Sequence, residues 1–122
     1  MNSGQYAFSQ LIALLSTTSF RTCVNRYNGN YKVKEFTCWK QFLCMIFGQI
    51  TQRESLSDTI ICLSANEDKL YHLGIGKLIS KSTLSKANEN RDWRIFADYA
   101  MVLIAKLKNF MLMIIFPILL NK

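Results

Sequence analysis

The segment Lys81-Ser82-Thr83-Leu84-Ser85-Lys86-Ala87-Asn88 presents hydroxyl, amide and ammonium groups around two apolar side chains. On a helix these groups would suit the edges of base pairs. Ser82, Thr83 and Ser85 can bond to several bases, Asn88 can pair bidentately with adenine, and Lys81 or Lys86 can reach guanine or a phosphate. A solvated helix face uses the same residue types. Arg91 and Arg94 follow closely and Lys77 precedes, so the three are placed to hold phosphates on either side of a groove-inserted segment. Arg94 also stands four residues before Asp98, the spacing of a surface ion pair. Lys32 and Lys34, interleaved with Tyr31, form a second basic stretch, suited to a DNA backbone, a minor groove or a solvated loop.

Hydrolytic chemistry is harder to assemble. The carboxylates are Glu35, Glu54, Asp58, Glu67, Asp68, Glu89, Asp92 and Asp98. Metal-assisted phosphodiester cleavage needs several of them converging on two ions. All sit in polar or helix-cap contexts, and none follows an apolar strand. Glu54 and Asp58 share a helix face at i, i+4, but a pair with no third ligand fits a solvated helix start. The single histidine, His72 between Tyr71 and Leu73, suits packing or a phosphate contact better than general base catalysis. Cysteines at 23, 38, 44 and 62 form no Cys-x-x-Cys pair, so no metal site is expected and reduced, mostly buried thiols are. No enzyme activity, cofactor or small-molecule ligand is anticipated.

Composition is consistent with a DNA-facing role. A chain of 122 residues, half of them hydrophobic, makes one domain with a modest core rather than a disordered polymer. The 15 Lys and Arg against 8 Asp and Glu leave a formal charge of +7, which favours nucleic acid or an anionic membrane surface as partner. The start, Met1-Asn2-Ser3-Gly4-Gln5, lacks the basic and long apolar regions of a secretory signal, so a cytoplasmic, nucleoid-associated location is expected.

The apolar spacing is helical nearly throughout. Phe8, Leu11, Ile12 and Leu15 follow a Ser3 cap; Phe20, Cys23, Val24 and Tyr27 form a second helix, stopped by Asn28-Gly29. Asn30 to Phe36 reads as an extended connector with exposed Lys32 and Lys34. Trp39, Phe42, Leu43, Ile46, Phe47 and Ile50, behind a Thr37 cap, make the widest stripe and the expected centre of the core. Ser55 caps a helix presenting Leu56, Ile60 and Leu63, and a short helical turn spans 69–73. Gly74 and Gly76 break the chain, and Ser80 opens the polar helix 81–90, with Leu84 and Ala87 inward. A last long helix starts near Asp92 and would turn Trp93, Phe96, Ala97, Ala100, Leu103, Ile104 and Leu107 inward. The expected fold is all-α, a compact domain of five to six helices with a helix-turn-helix-like DNA-binding unit whose connector, Gly74 to Ile79, exceeds the usual three or four residues.

Several blocks carry a resemblance. Arg26-Tyr27-Asn28-Gly29-Asn30-Tyr31-Lys32-Val33-Lys34-Glu35-Phe36-Thr37-Cys38-Trp39 leads, followed by Gln41-Phe42-Leu43-Cys44, Arg53-Glu54-Ser55-Leu56, Leu70-Tyr71-His72-Leu73-Gly74-Ile75, Ser82-Thr83-Leu84 and Ala87-Asn88-Glu89-Asn90-Arg91-Asp92-Trp93-Arg94-Ile95. In this order they resemble the N-terminal domain of bacterial insertion-sequence transposases of the DDE type, in the group named after insertion sequence four. The resemblance spans residues 1–107. It implies recognition of the element's terminal repeats in double-stranded DNA during transposition. Full-length relatives would use divalent metal in a catalytic domain that this chain does not contain.

After Leu107 the likeness ends. Residues 108–122 are apolar where the family would continue polar and acidic, as a frameshift or truncation product would. The apolar run by itself is shorter than the 20 or so residues of a membrane span, and Lys106 and Lys108 interrupt its extension, so a membrane partner is not expected. Two alternatives stand beside DNA recognition. One is an interaction or inhibitory fragment that forms a homodimer or associates with full-length transposase. The other is a small basic protein held at a lipid surface.

Overall fold

The structure, a computed structural model, describes residues 3–71 and 74–120, with the side chains of residues 3–7, 9 and 70 outside the description. Among the described residues there is no strand. Seven helices follow in order: α1 (Ser3–Leu14), α2 (Thr17–Arg26), α3 (Cys38–Ile50), α4 (Leu56–Ala65), the one-turn α5 (Glu67–Tyr71), α6 (Lys81–Asn90) and α7 (Arg94–Leu120). The fold is all-α as expected, with the helical turn at α5 making the seventh element.

Side-chain caps set most of the helix starts. Oγ of Ser16 accepts from the Ser19 amide, Oγ1 of Thr37 from Lys40, Oγ of Ser55 from Asp58 and Oγ of Ser80 from Thr83. Each cap contributes about 1 kcal/mol by satisfying an amide with no helical partner. The cap expected at Ser3 concerns a side chain outside the described set; α1 begins at Ser3 itself. α2 ends where Asn28 takes a φ of 52° and the Gly29 amide returns to the Val24 carbonyl at 2.9 Å. Gly29 is also forced by packing, because a Cβ there would lie 2.5 Å from Cδ1 of Ile95.

α3 is the centre, with α1, α2, α4 and α6 all packed on it. On one side Leu43, Cys44 and Phe47 meet Phe8, Phe36, Leu63, Ile75, Leu84 and Ala87. On the other, Cys38 joins Phe20, Cys23, Val24, Ile95 and Tyr99, and Trp39 and Phe42 touch both groups. Each fully buried Leu or Phe contributes roughly 1.5–3 kcal/mol, so packing on α3 outweighs the caps, which choose boundaries rather than hold the fold. α3 and α4 approach closely at Gly48, where a Cβ would stand 2.7 Å from Oγ1 of Thr59.

Two expected faces differ. In α3 the fully buried residues are Cys38, Gln41, Leu43, Cys44, Phe47 and Gly48, while Trp39, Phe42, Ile46 and Ile50 are half-buried. A helix with neighbours on most sides buries more than one apolar stripe. In α7 the buried residues are Ile95 and Tyr99, not Trp93, which is 73% exposed; Ala100, Ile104 and Leu107 are exposed too. α7 is apolar on several sides, so periodicity did not single out the face that α2 covers.

The C-terminal apolar run is not a separate element. α7 continues unbroken through Lys106 and Lys108 to Leu120 with Pro117 inside it, and burial ends near Leu103 instead of at Leu107. At 1.5 Å per residue its 27 residues span about 40 Å. The helix is long and apolar enough to cross a membrane by length and composition, with a mean hydropathy of 2.0 over an 18-residue stretch that has no buried residue. The expectation that this end is too short to span is corrected, because two lysines do not stop a helix and their long stems can carry the charge toward water.

Candidate nucleic-acid interface

α6 has two chemically different faces. Leu84 and Ala87 are buried against the α3 and α4 side. Lys81, Ser82, Thr83 and Lys86 are exposed, and Ser85 is half-buried. The helix is polar because one face is solvated, and its single apolar strip is enough to seat it.

A polar network fixes the far end of α6. Gln41 of α3 is 2% exposed, so both ends of its amide need partners; an unmet buried polar group costs about 1–3 kcal/mol. Its Nε2 donates to Oδ1 of Asn88 at 2.8 Å, and its Oε1 accepts from Nη1 of Arg91 at 3.0 Å. The Asn88 Nδ2 donates to Sδ of Met45 at 3.4 Å. Nη2 of Arg91 donates to the Phe36 carbonyl, and the guanidinium lies 5.4 Å from the centre of the Phe36 ring. Asn88 and Arg91 therefore hold α6 onto α3, a task that their sequence positions did not suggest. Asn88 is nonetheless exposed, and its amide keeps a second lone pair and a second N–H beside these bonds.

Arg94 is also engaged, though its ion pair is not with Asp98. Its Nη2 lies 2.7 Å from Oδ2 of Asp92, whose Oδ1 accepts from the Arg94 amide, and the guanidinium stacks 4.5 Å from the Tyr27 ring centre. Asp98 faces α2 instead, accepting from the Tyr27 hydroxyl at 2.6 Å and from Arg26 at 2.5 Å. The i+4 pair is lost because Asp92, at the helix start, captures both the amide and the guanidinium of Arg94. Each carboxyl is held below its ordinary pKa, Asp92 by hydrogen bonds from Arg94, and Asp98 by hydrogen bonds from Tyr27 and then Arg26.

The remaining predicted lysines separate. Lys32 is exposed at a φ of 57°, its Nζ 5.4 Å from the Tyr31 ring centre, in a stretch that turns where an extended connector was expected, the Tyr31 and Val33 amides returning to the Asn28 and Asn30 carbonyls. Lys34 and Lys77 line two adjoining open clefts of about 480 and 650 Å³, together with Glu35 and Lys40. Ser80 and Thr83 of the α6 start border the first cleft, and Tyr71, Gly74 and Gly76 the second. Lys40 was missed in the sequence because it lies on the core helix. Its one signal is the Lys40-Gln41 pair, which interrupts the apolar stripe of α3.

Among the described residues no group of three or more His, Cys, Asp or Glu side chains could hold a metal ion. Cys23, Cys38 and Cys44 are buried free thiols and Cys62 is half-buried. Burial pushes the Cys44 thiol up to about 12 and raises that of Cys38 despite the nearby Arg91 charge. Glu54 and Asp58 are exposed around the start of α4. His72 lies outside the described residues.

Residues 3–76 match the model of one protein family, described as a domain of unknown function, DUF4372. The match covers α1 to α5 and the glycine turn, and stops before α6. No curated protein and no solved structure gives a significant match to the chain.

Proposed function

The chain belongs to the DUF4372 family, which is commonly found in transposase-like proteins, and from that premise we propose that its helical domain recognises the ends of a mobile element. In this reading it is the DNA-recognition domain of an insertion-sequence transposase of the group named after insertion sequence four. α6 lies in the major groove, preceded by α4 as the supporting helix of a helix-turn-helix-like unit.

The observation that carries the reading is the two-faced α6. Its inner face is fixed by Leu84, Ala87 and the Asn88–Gln41–Arg91 network, leaving Lys81, Ser82, Thr83 and Lys86 exposed on a rigid element. Hydroxyls can bond to several bases, and ammonium groups reach guanine or phosphate. A formal charge of +7 supports attraction to a polyanion. Asn88, Arg91 and Arg94 act as positioning residues. The reading assigns binding to this domain and leaves strand cleavage, with its carboxylates and divalent metal, to a separate catalytic domain.

Fluorescence anisotropy with a duplex carrying the element's terminal repeat tests it. The protein is expected to prefer that duplex over a scrambled one, and Ser82→Ala with Lys86→Ala to lose about 1–3 kcal/mol of discrimination per base pair no longer read. Equal affinity for both duplexes would reject α6 as a reader.

A further inference from the structure

The lysine-lined groove in front of α6 joins Lys34 and Lys77, which the sequence offered as separate phosphate contacts, to Lys40, which it did not offer. Lys34 comes from the connector before α3, Lys40 from the first turn of α3 and Lys77 from the loop after α5, yet all three line the same pair of clefts. Gathering like charges is unfavourable unless an anion is there to accept them. Glu35 is the single acid bordering both clefts, and none of the three lysines has an ion pair among the described residues. The stem of Lys40 is held against the loop, since a Cβ on Gly76 would lie 3.4 Å from its Nζ and 3.7 Å from its Cε. Gly76, at a φ of 72°, brings the backbone under that lysine without a side chain in the way.

The geometry points to this groove as the seat of one strand of a DNA backbone, with Lys34, Lys40 and Lys77 neutralising consecutive phosphodiesters. The inference rests on the reading of α6 as a groove-inserted helix and adds to it the path of the phosphate strand. The groove is open rather than enclosed, which suits a continuous polymer better than a small anion. It also continues onto α6, because Thr83 borders it and lies one turn before the exposed Lys86. A strand in the groove sets the register of α6 without itself reading sequence, the division of labour usual at protein–DNA interfaces.

The test is duplex binding as a function of salt by the full chain, comparing wild type with a variant carrying Lys34→Gln, Lys40→Gln and Lys77→Gln. Each neutralised phosphate contributes about 0.9 to the slope of log affinity against log salt, so the triple variant should lose roughly 2–3 from that slope. Its preference for the terminal repeat over a scrambled duplex should persist. A control carrying Lys69→Gln, Lys106→Gln and Lys108→Gln removes the same charge elsewhere and should leave most of the slope in place. An unchanged slope in the groove variant, or an equal loss in the control, overturns the groove while leaving the DNA reading intact. Wild-type protein that binds no duplex removes both. Inorganic phosphate competing at micromolar concentration would make the groove a small-anion site and overturn the backbone assignment.

Discussion

Ile95 and Tyr99, near the start of α7, are fully buried, whereas Phe110, Met113 and Phe116 of the same helix remain 58%, 74% and 59% exposed. The exposed half is the more apolar of the two, and both belong to one unbroken backbone. What separates them is the supply of neighbours. The first half meets α2, and Phe20, Phe42, Phe96 and Tyr99 form a cluster with ring centres 5.0 to 6.4 Å apart. The hydroxyl of Tyr99 donates to the Ser16 carbonyl at 3.1 Å, tying the start of α2 to α7. α2, at about 15 Å, is far shorter than α7 at about 40 Å, so beyond Leu103 the helix outruns the elements that could cover it. Apolar composition makes burial favourable, but only a facing surface makes it happen.

The largest expected effect separates the halves directly. Ile95→Ala opens a cavity between α2, α3 and α7 and should cost about 2–5 kcal/mol, while Ile118→Ala should stay within about 0.5 kcal/mol. Urea unfolding of the two variants measures the difference, and similar losses would mean that the far half is packed in solution. A subtler effect is expected from removing residues 104–120. The unfolding midpoint should hold, while self-association, followed by light scattering against concentration, should fall because a large exposed apolar surface is gone. A lowered midpoint would show that the far half supports the domain.

The smallest effect sharpens the packed end alone. Asp98→Asn breaks the contact with Tyr27 and Arg26 at an exposed site, where salt weakens such pairs. Because the folded carboxyl titrates below its ordinary 3.8, its stabilisation is present above that value and disappears as pH falls through the depressed one. Thermal midpoints of wild type and variant should therefore differ slightly at neutral pH and converge in acid. A gap that widened on acidification would assign the stabilisation to another group.

How legible each feature was depended on how local its cause was. The caps at Thr37, Ser55 and Ser80 were visible because a cap is a bond between residues three apart. The inward Leu84 and Ala87 were visible because α6 has little else that is apolar. The face of α7 was not, since a helix apolar on several sides carries no phase that marks one of them. Arg94 illustrates a near neighbour winning over the spacing rule: Asp92 offered two acceptors at the helix start, and Asp98 was drawn across to α2. The roles of Asn88 and Arg91 depended on Gln41, about 50 positions away, and nothing in the local pattern announces a buried amide that needs two partners.

By itself the sequence determined that this chain is helical, where α3, α4 and α6 begin, that its charge is strongly positive, and which helix stays polar, because propensity, capping and hydrophobic period act over a few residues. Only the tertiary structure decided that Lys40 stands beside Lys34 and Lys77, that Asn88 and Arg91 serve Gln41, and that α7 is buried at one end and bare at the other. Those outcomes depend on which distant surfaces come to face each other, and the chain acquires that information only when the helices pack around α3.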